Sequence, residues 1–296
     1  MSAILDRLCE KGLLVSDGAW GTRLQARGLA SGDCPEAWNL DRPDDVRAVA
    51  NEYVVAGSDL VLTNTFGGNE IKLAKYGREA EVEQLNLAGA RLSVEAAGGH
   101  ALVAASVGPT GEFVEPYGDM TEEEMEAVFA RQIAALAQGG MVRAVCIETM
   151  TAIEEACCAV RAARRVDAGL EVIVTMTFDP TAHGFRTMMG VAPERAAAEL
   201  SEAGADILGT NCGNGSQQMV GVIAALRSAT DKPLLVHSNA GVPELVNGQT
   251  VFRESPATMA EYIKPLRDAG AQIFGGCCGT TPAHIAALRA AVDALR

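Results

Sequence analysis

Nowhere in the 296 residues do about 18 apolar residues run uninterrupted, the length a membrane-spanning helix requires. The opening segment, MSAILDRLCEKGLL, has an acidic residue in its first apolar stretch, no long apolar core and no small-residue cleavage site, so no export signal is read there. Positive charge is scarce: 24 Lys and Arg stand against 38 Asp and Glu, a formal charge of −14. Such a balance opposes nonspecific binding to nucleic acid or anionic lipid, and neither is expected as a partner. No Pro/Gly/Ser-rich linker divides the chain, and no Gly-rich dinucleotide turn follows its first strand-like run. Eight cysteines without an export signal point to a reducing compartment, where clustered thiols more often mean metal or catalysis than disulfides. The cytoplasm is the expected location.

What the chain does have is alternation. At 48% hydrophobic it can bury a substantial core. Eight short apolar or β-branched runs recur along it: LLVSD (13–17), DLVLTNT (59–65), ALVAASV (101–107), AVCIET (144–149), EVIVTMTF (171–178), DILGTN (206–211), LLVHSN (234–239) and QIFGG (272–276). Between them lie longer Ala-, Glu- and Arg-rich segments of helical period. TEEEMEAVFARQIAALAQGG begins with Thr121 and carries Glu124 three residues on, a capping-box pattern, and stops at Gly139 and Gly140. ESPATMAEYIKPLRDAGA reads as a further helix, with Ser255 ahead of Pro256 at its start. Several helical segments end in AG or GG before the next run. A βα unit repeated eight times predicts an α/β fold, a single (β/α)8 TIM barrel over residues 1–296, in preference to a doubly wound open sheet.

In such a barrel the chemistry sits at the C-terminal ends of the strands. Seven of those ends read SDGAWGT, TNTF, SVGPTG, IET, GTNCGNG, HSNAG and GGCCGTT. Cys212, Cys277 and Cys278 are thereby brought to one rim from the sixth and eighth runs. The other five cysteines, Cys9, Cys34, Cys146, Cys157 and Cys158, are scattered and read as small buried hydrophobes or incidental surface thiols. Neighbouring residues of a regular strand face opposite ways, so Cys277 and Cys278 serve one site only where the backbone bends, which Gly275, Gly276 and Gly279 permit. Packed thiols at a tight glycine turn, or a vicinal disulfide, are the plainer readings of the pair. The third thiol favours a metal.

Three thiolates facing one point make a soft, anionic site suited to Zn²⁺, and three protein ligands leave a fourth position open. A Cys₃ site makes the metal a poor Lewis acid for activating water. A substrate thiol suits it better, because the metal deprotonates the thiol at neutral pH while the sulfur stays nucleophilic. The expected reaction is S-alkylation. An amino-acid substrate also needs an anionic partner for its ammonium, and Asp17 and Glu148 stand at the ends of the first and fourth runs.

DGAWGT, TNTF, GPTGE, ET, GTNCGNG, SNAG and GGCCGTTP, in this order and across nearly the whole chain, resemble the homocysteine S-methyltransferase family. The combination of TNCG with GGCCGT is the specific part. The resemblance implies a (β/α)8 barrel, zinc held by Cys212, Cys277 and Cys278, and homocysteine bound to the metal through sulfur. It also implies that Asp17 and Glu148 bind the homocysteine amino group, and that Asn239 is a weak fourth metal ligand in the substrate-free state. Gly18 and Ala19 are candidates to offer backbone N–H groups to the substrate carboxylate, assisted by Ser106 or Thr22. His237 reads as packed within its strand or placed around the metal site.

Betaine-dependent members cage a quaternary ammonium in aromatic residues. This chain has Asp33 ahead of Cys-Pro-Glu and Gly67 after Phe66 where that cage would stand, which disfavours betaine. NLDRPDDV, TNTFGGN and GPTGEFVEPYGDMT are closest to the homocysteine-binding domain of cobalamin-dependent methionine synthase. The expected donor is methylcobalamin on a separate, transient corrinoid-protein partner, with S-methylmethionine or another sulfonium as the alternative. A non-enzymatic zinc- and thiol-binding protein would need the thiols but not the carboxylates. A hydrolase or aldolase barrel would need a Lys or His at a strand end, and Lys is absent from all eight.

Overall fold

A computed structural model describes residues 3–246 and 249–296. Each of the eight strand-like runs contains a strand: β1 (Leu14–Val15), β2 (Leu60–Leu62), β3 (Leu102–Val107), β4 (Ala144–Met150), β5 (Glu171–Met176), β6 (Ile207–Asn211), β7 (Leu234–Ser238) and β8 (Ile273–Gly276). They lie in the order β1-β8-β7-β6-β5-β4-β3-β2, every pair parallel. Helices connect them in turn, which makes a nearly closed (β/α)8 barrel.

β1 and β2 stand at the two ends of that order, and aspartates bridge the seam between them. Near its foot, Asp59 N–H donates to the Val15 carbonyl at 2.6 Å and Asp59 Oδ2 accepts the Val15 N–H at 3.0 Å. Lys11 and Arg289 pair with the same carboxylate. Higher up, Asp17 Oδ2 accepts the Leu62 N–H at 2.8 Å. Each carboxylate takes up a strand N–H that would otherwise be orphaned in a buried place.

Thr121 and Glu124 form the expected capping box, and Ser255 accepts the Thr258 N–H at 3.2 Å. The segment after Ser255 departs from expectation: it breaks into two helices, Pro256–Glu261 and Ile263–Ala269, joined at Tyr262. Pro265 is the physical cause, because it has no N–H for the Glu261 carbonyl and its ring collides with that carbonyl. Two short hairpins, Asp179–Thr181 with Gly184–Arg186 and Glu244–Val246 with Gln249–Val251, follow β5 and β7 and add to the C-terminal rim. No helix of the described residues is long and apolar enough to cross a membrane.

One hydrophobic cluster takes side chains from all eight strands, among them Leu14, Leu60, Ala104, Cys146, Ile173, Ile207, Leu235 and Ile273. A cluster shared by every strand is the barrel interior. Ile4 and Leu8 of the first helix (Ala3–Lys11) belong to it and plug its foot, where the Glu171 carboxylate accepts the N–H groups of Ala3, Ile4 and Leu5. Side chains alternate along a strand, so each interior position recurs two residues on. One step toward the C-terminal end the interior turns polar: Ala104 gives way to Ser106, Cys146 to Glu148, Ile173 to Thr175 and Leu235 to His237.

Candidate active site

Above that polar layer opens a cavity of about 340 Å³ whose wall includes Trp20, Phe66, Glu148, His237 and the three rim cysteines. A smaller apolar cavity of about 230 Å³ lies at the opposite end, near Ala3 and Met141, with Arg143 as its one charged side chain.

The thiols meet because two strands end irregularly. At the end of β6 the chain turns through Cys212, whose φ of 62° is rare outside glycine. Its N–H donates to the His237 carbonyl at 3.1 Å, while Cys277 N–H donates to the Ser238 carbonyl at 2.7 Å and the Cys278 carbonyl accepts the Ala240 N–H at 3.0 Å. After β8, the Thr280 N–H closes a turn onto the Cys277 carbonyl at 3.1 Å, with Gly279 at φ 80°. Cys277 and Cys278 thus lie beyond the strand, which removes the alternation that would have separated them. The expectation that all three glycines supply the bend needs correction. Gly275 and Gly276 stay in the strand and are needed for clearance: a Cβ on Gly275 would lie 2.6 Å from the His237 ring, and one on Gly276 would lie 2.4 Å from Thr280 Oγ1.

The Sγ atoms of Cys212, Cys277 and Cys278 all lie within 4.8 Å of one another. Sulfurs around one tetrahedral metal at ~2.3 Å stand roughly 3.8 Å apart, a spacing that falls within this bound. Hydrogen bonds from Cys277 and Cys278 draw the Cys212 thiol down to about 3, as one thiolate shared among three sulfurs requires. The same exchange with Cys212, together with burial, pushes Cys278 up to about 12 and holds Cys277 well above the ordinary thiol range. Asn239 is buried beside them, its side chain bonded to Cys212, and its Oδ1 has no partner among the described residues. A soft donor set next to an unsatisfied amide oxygen fits a thiophilic divalent metal. The other five cysteines lie elsewhere, Cys146 within the barrel interior.

Glu148 lines the cavity, and its carboxyl is raised to about 7 by burial, with Asp17 and Cys212 adding to the rise. Ser106 Oγ donates to Glu148 Oε1 at 2.5 Å, so this hydroxyl orients the carboxylate. Asp17 is fully buried and raised to about 7, again chiefly by burial. Beyond its bond across the seam, Asp17 Oδ2 accepts Trp20 Nε1–H at 2.9 Å. Gly18, Ala19 and Thr22 line the cavity. Only glycine fits at 18, because a Cβ there would stand 2.7 Å from Thr280 Oγ1. The Ala19 N–H already donates to Thr280 Oγ1 at 3.0 Å and is engaged within the protein, not held open as expected.

Sequence reasoning missed Asn211 and Thr149. Asn211 is fully buried, and its amide is held in one orientation: Oδ1 accepts the Thr149 N–H and the Thr175 hydroxyl, each at 2.8 Å. Thr149 has a φ of 63°, a strained value for a β-branched residue. The GTNC motif marked this stretch for its thiol, but nothing in the sequence reveals what the neighbouring amide reaches.

The family model for homocysteine S-methyltransferase matches residues 14–292. The chain belongs to the homocysteine S-methyltransferase family. It is 30% identical over 306 aligned positions to methionine synthase of Mycobacterium leprae, and likewise to that of Mycobacterium tuberculosis; each match covers 98% of this chain but 25% of the relative. The chain therefore spans about a quarter of the length of these relatives. Among solved structures it resembles the Escherichia coli homocysteine methyltransferase MmuM. The oxidized form has TM-score 0.82 and 26% identity, with 98% of this chain and 99% of that one covered; the metallated form has TM-score 0.80 and 25% identity, with 96% and 98% covered. The TNCG and GGCCGT segments are distant in sequence, and the barrel brings their thiols together.

Proposed function

We propose that this methyltransferase is zinc-dependent and converts homocysteine to methionine, with the methyl group delivered by a separate methyl-corrinoid protein. The observation that carries the reading is three thiols within 4.8 Å of one another, on a cavity that also holds a buried carboxylate. Zinc held by Cys212, Cys277 and Cys278 would supply deprotonation of the substrate thiol while leaving its sulfur nucleophilic. Asn239, with its unpartnered oxygen, is the candidate to fill the remaining position when no substrate is present.

The chain's own residues do the rest. Glu148 receives the substrate ammonium, Ser106 orients that carboxylate, and Asp17 adds negative charge from behind Gly18. Gly18 and Thr22 face the substrate carboxylate, while the Ala19 N–H stays engaged with Thr280. The substrate sulfur supplies its electron pair to the methyl carbon as the bond from that carbon to the donor breaks, and the donor keeps the bonding pair.

A macromolecular donor is supported by the rim. Of the exposed large hydrophobic side chains among the described residues, all but Val55 belong to connections that leave the C-terminal ends of strands, including Phe66, Phe113, Tyr117, Met188, Met189 and Leu245. Phe66 also lines the cavity, and exposed apolar side chains on the face where a cavity opens suit a docking partner. The sulfonium reading draws on a different observation: the chain matches MmuM over nearly the full length of both proteins. Zinc-loaded protein and homocysteine, incubated separately with methylcobalamin, a methyl-corrinoid protein, S-methylmethionine and betaine, distinguish these donors. Methionine should form with methylcobalamin, faster with the protein-bound form, and not with betaine. Turnover with S-methylmethionine and none with either corrinoid would replace the donor assignment and leave the thiol chemistry in place.

A further inference from the structure

Asn211 connects the two halves of the cavity. One N–H of its amide donates to Thr149 Oγ1 at 2.7 Å; the other faces both Glu148 Oε2, at 3.4 Å, and Cys277 Sγ, at 3.9 Å. The amide cannot turn over, because its Oδ1 accepts a backbone N–H from Thr149, and a backbone N–H can only donate. Its donor side is therefore committed to the carboxylate and the sulfur. The anchor is itself unusual: Thr149 keeps a φ of 63° while exchanging two hydrogen bonds with Asn211. Strain of this kind persists only where the surroundings over-determine it.

We propose that Asn211 is a positioning residue that sets the separation between the Glu148 carboxylate and the Cys277 sulfur, so that the site measures the span between the ammonium and the thiol of its substrate. This rests on the reading of the cavity as a homocysteine site. Its consequence is selective: losing Asn211 weakens a thiol that carries an amino group and spares one that does not.

The test titrates homocysteine and its deamino counterpart, 4-sulfanylbutanoate, into zinc-loaded full-length protein by calorimetry, with zinc content and thermal midpoint recorded for every variant. Asn211→Asp keeps the size and the acceptor oxygen but turns the donor into an anion. It should retain zinc and raise the homocysteine Kd about 10- to 100-fold, the range for a hydrogen bond to a charged group, while the deamino thiol binds as before. In a Glu148→Gln background the same substitution should cost nothing further. Thr149→Gly relieves the left-handed strain and keeps the backbone donor, so its thermal midpoint should hold or rise while homocysteine affinity falls. Equal losses for both thiols, additive losses with Glu148→Gln, or affinity that follows the thermal midpoint would overturn the positioning role. A wild-type chain that prefers neither thiol would overturn the homocysteine reading and the inference with it.

Discussion

Glu148→Gln separates the cost of the Glu148 charge from its use. Burial lifts this carboxyl from 4.5 to about 7, which corresponds to about 3 kcal/mol at ~1.4 kcal/mol per pH unit. The folded pKa lies above the unfolded one, so the folded chain holds the proton more tightly. The associated stability is complete below pH 4.5 and is lost as pH rises through 7. Glutamine resembles the protonated form and can still accept from Ser106. The variant should therefore match the wild type near pH 4.5 and exceed it by up to about 3 kcal/mol at pH 8, roughly 5 °C in midpoint for a chain of this size. Asp17, also raised to about 7, is present in both proteins, so its own burial cancels from the difference, and its repulsion of Glu148 is already included in the rise to about 7. Homocysteine affinity should move the other way, falling about 10- to 100-fold with the loss of an ammonium partner. Thermal melts at a series of pH values and calorimetric titration at pH 8 measure the two effects. A variant that is no more stable than wild type at pH 8, or that binds homocysteine as well, would refute the reasoning.

Cys212→Ser, Cys277→Ser and Cys278→Ser should each lose stoichiometric zinc, measured by elemental analysis, since two thiolates are too few to hold it; full retention by all three would remove the metal assignment. Gly275→Ala should destabilise the barrel by ~1–3 kcal/mol or more, because the added methyl meets the His237 ring at 2.6 Å and the Asp17 carbonyl at 2.8 Å; an unchanged urea midpoint would show that the strand end yields easily. Thr121→Ala should cost about 1 kcal/mol through the lost helix cap and leave homocysteine titrations unaltered, which provides a control far from the cavity.

The barrel and the thiol cluster were legible in the sequence because their signals are local. Apolar runs at regular intervals, Thr121 with Glu124, Ser255 ahead of Pro256 and the GGCCG turn each declare a conformation within a few residues. The break at Tyr262 was written there too, in Pro265, although the periodicity around it concealed the signal. The interior position of Glu148 follows from Cys146 by simple alternation.

What the sequence by itself determined, then, was the set of elements and the residues delivered to one rim. Only the tertiary structure decided how those residues spend their hydrogen bonds. Asp17 reads as an ammonium partner, yet its carboxylate also bridges the β1–β2 seam by accepting the Leu62 N–H. Ala19 has an N–H that sequence leaves free and Thr280, 261 residues away, occupies. Asn211 passes for a neighbour of Cys212 until its amide is found between Glu148 and Cys277. Periodicity fixes which way a side chain points, whereas a hydrogen bond depends on donor and acceptor atoms arriving within about 3 Å from distant parts of the chain, and that arrangement exists only once the barrel has closed.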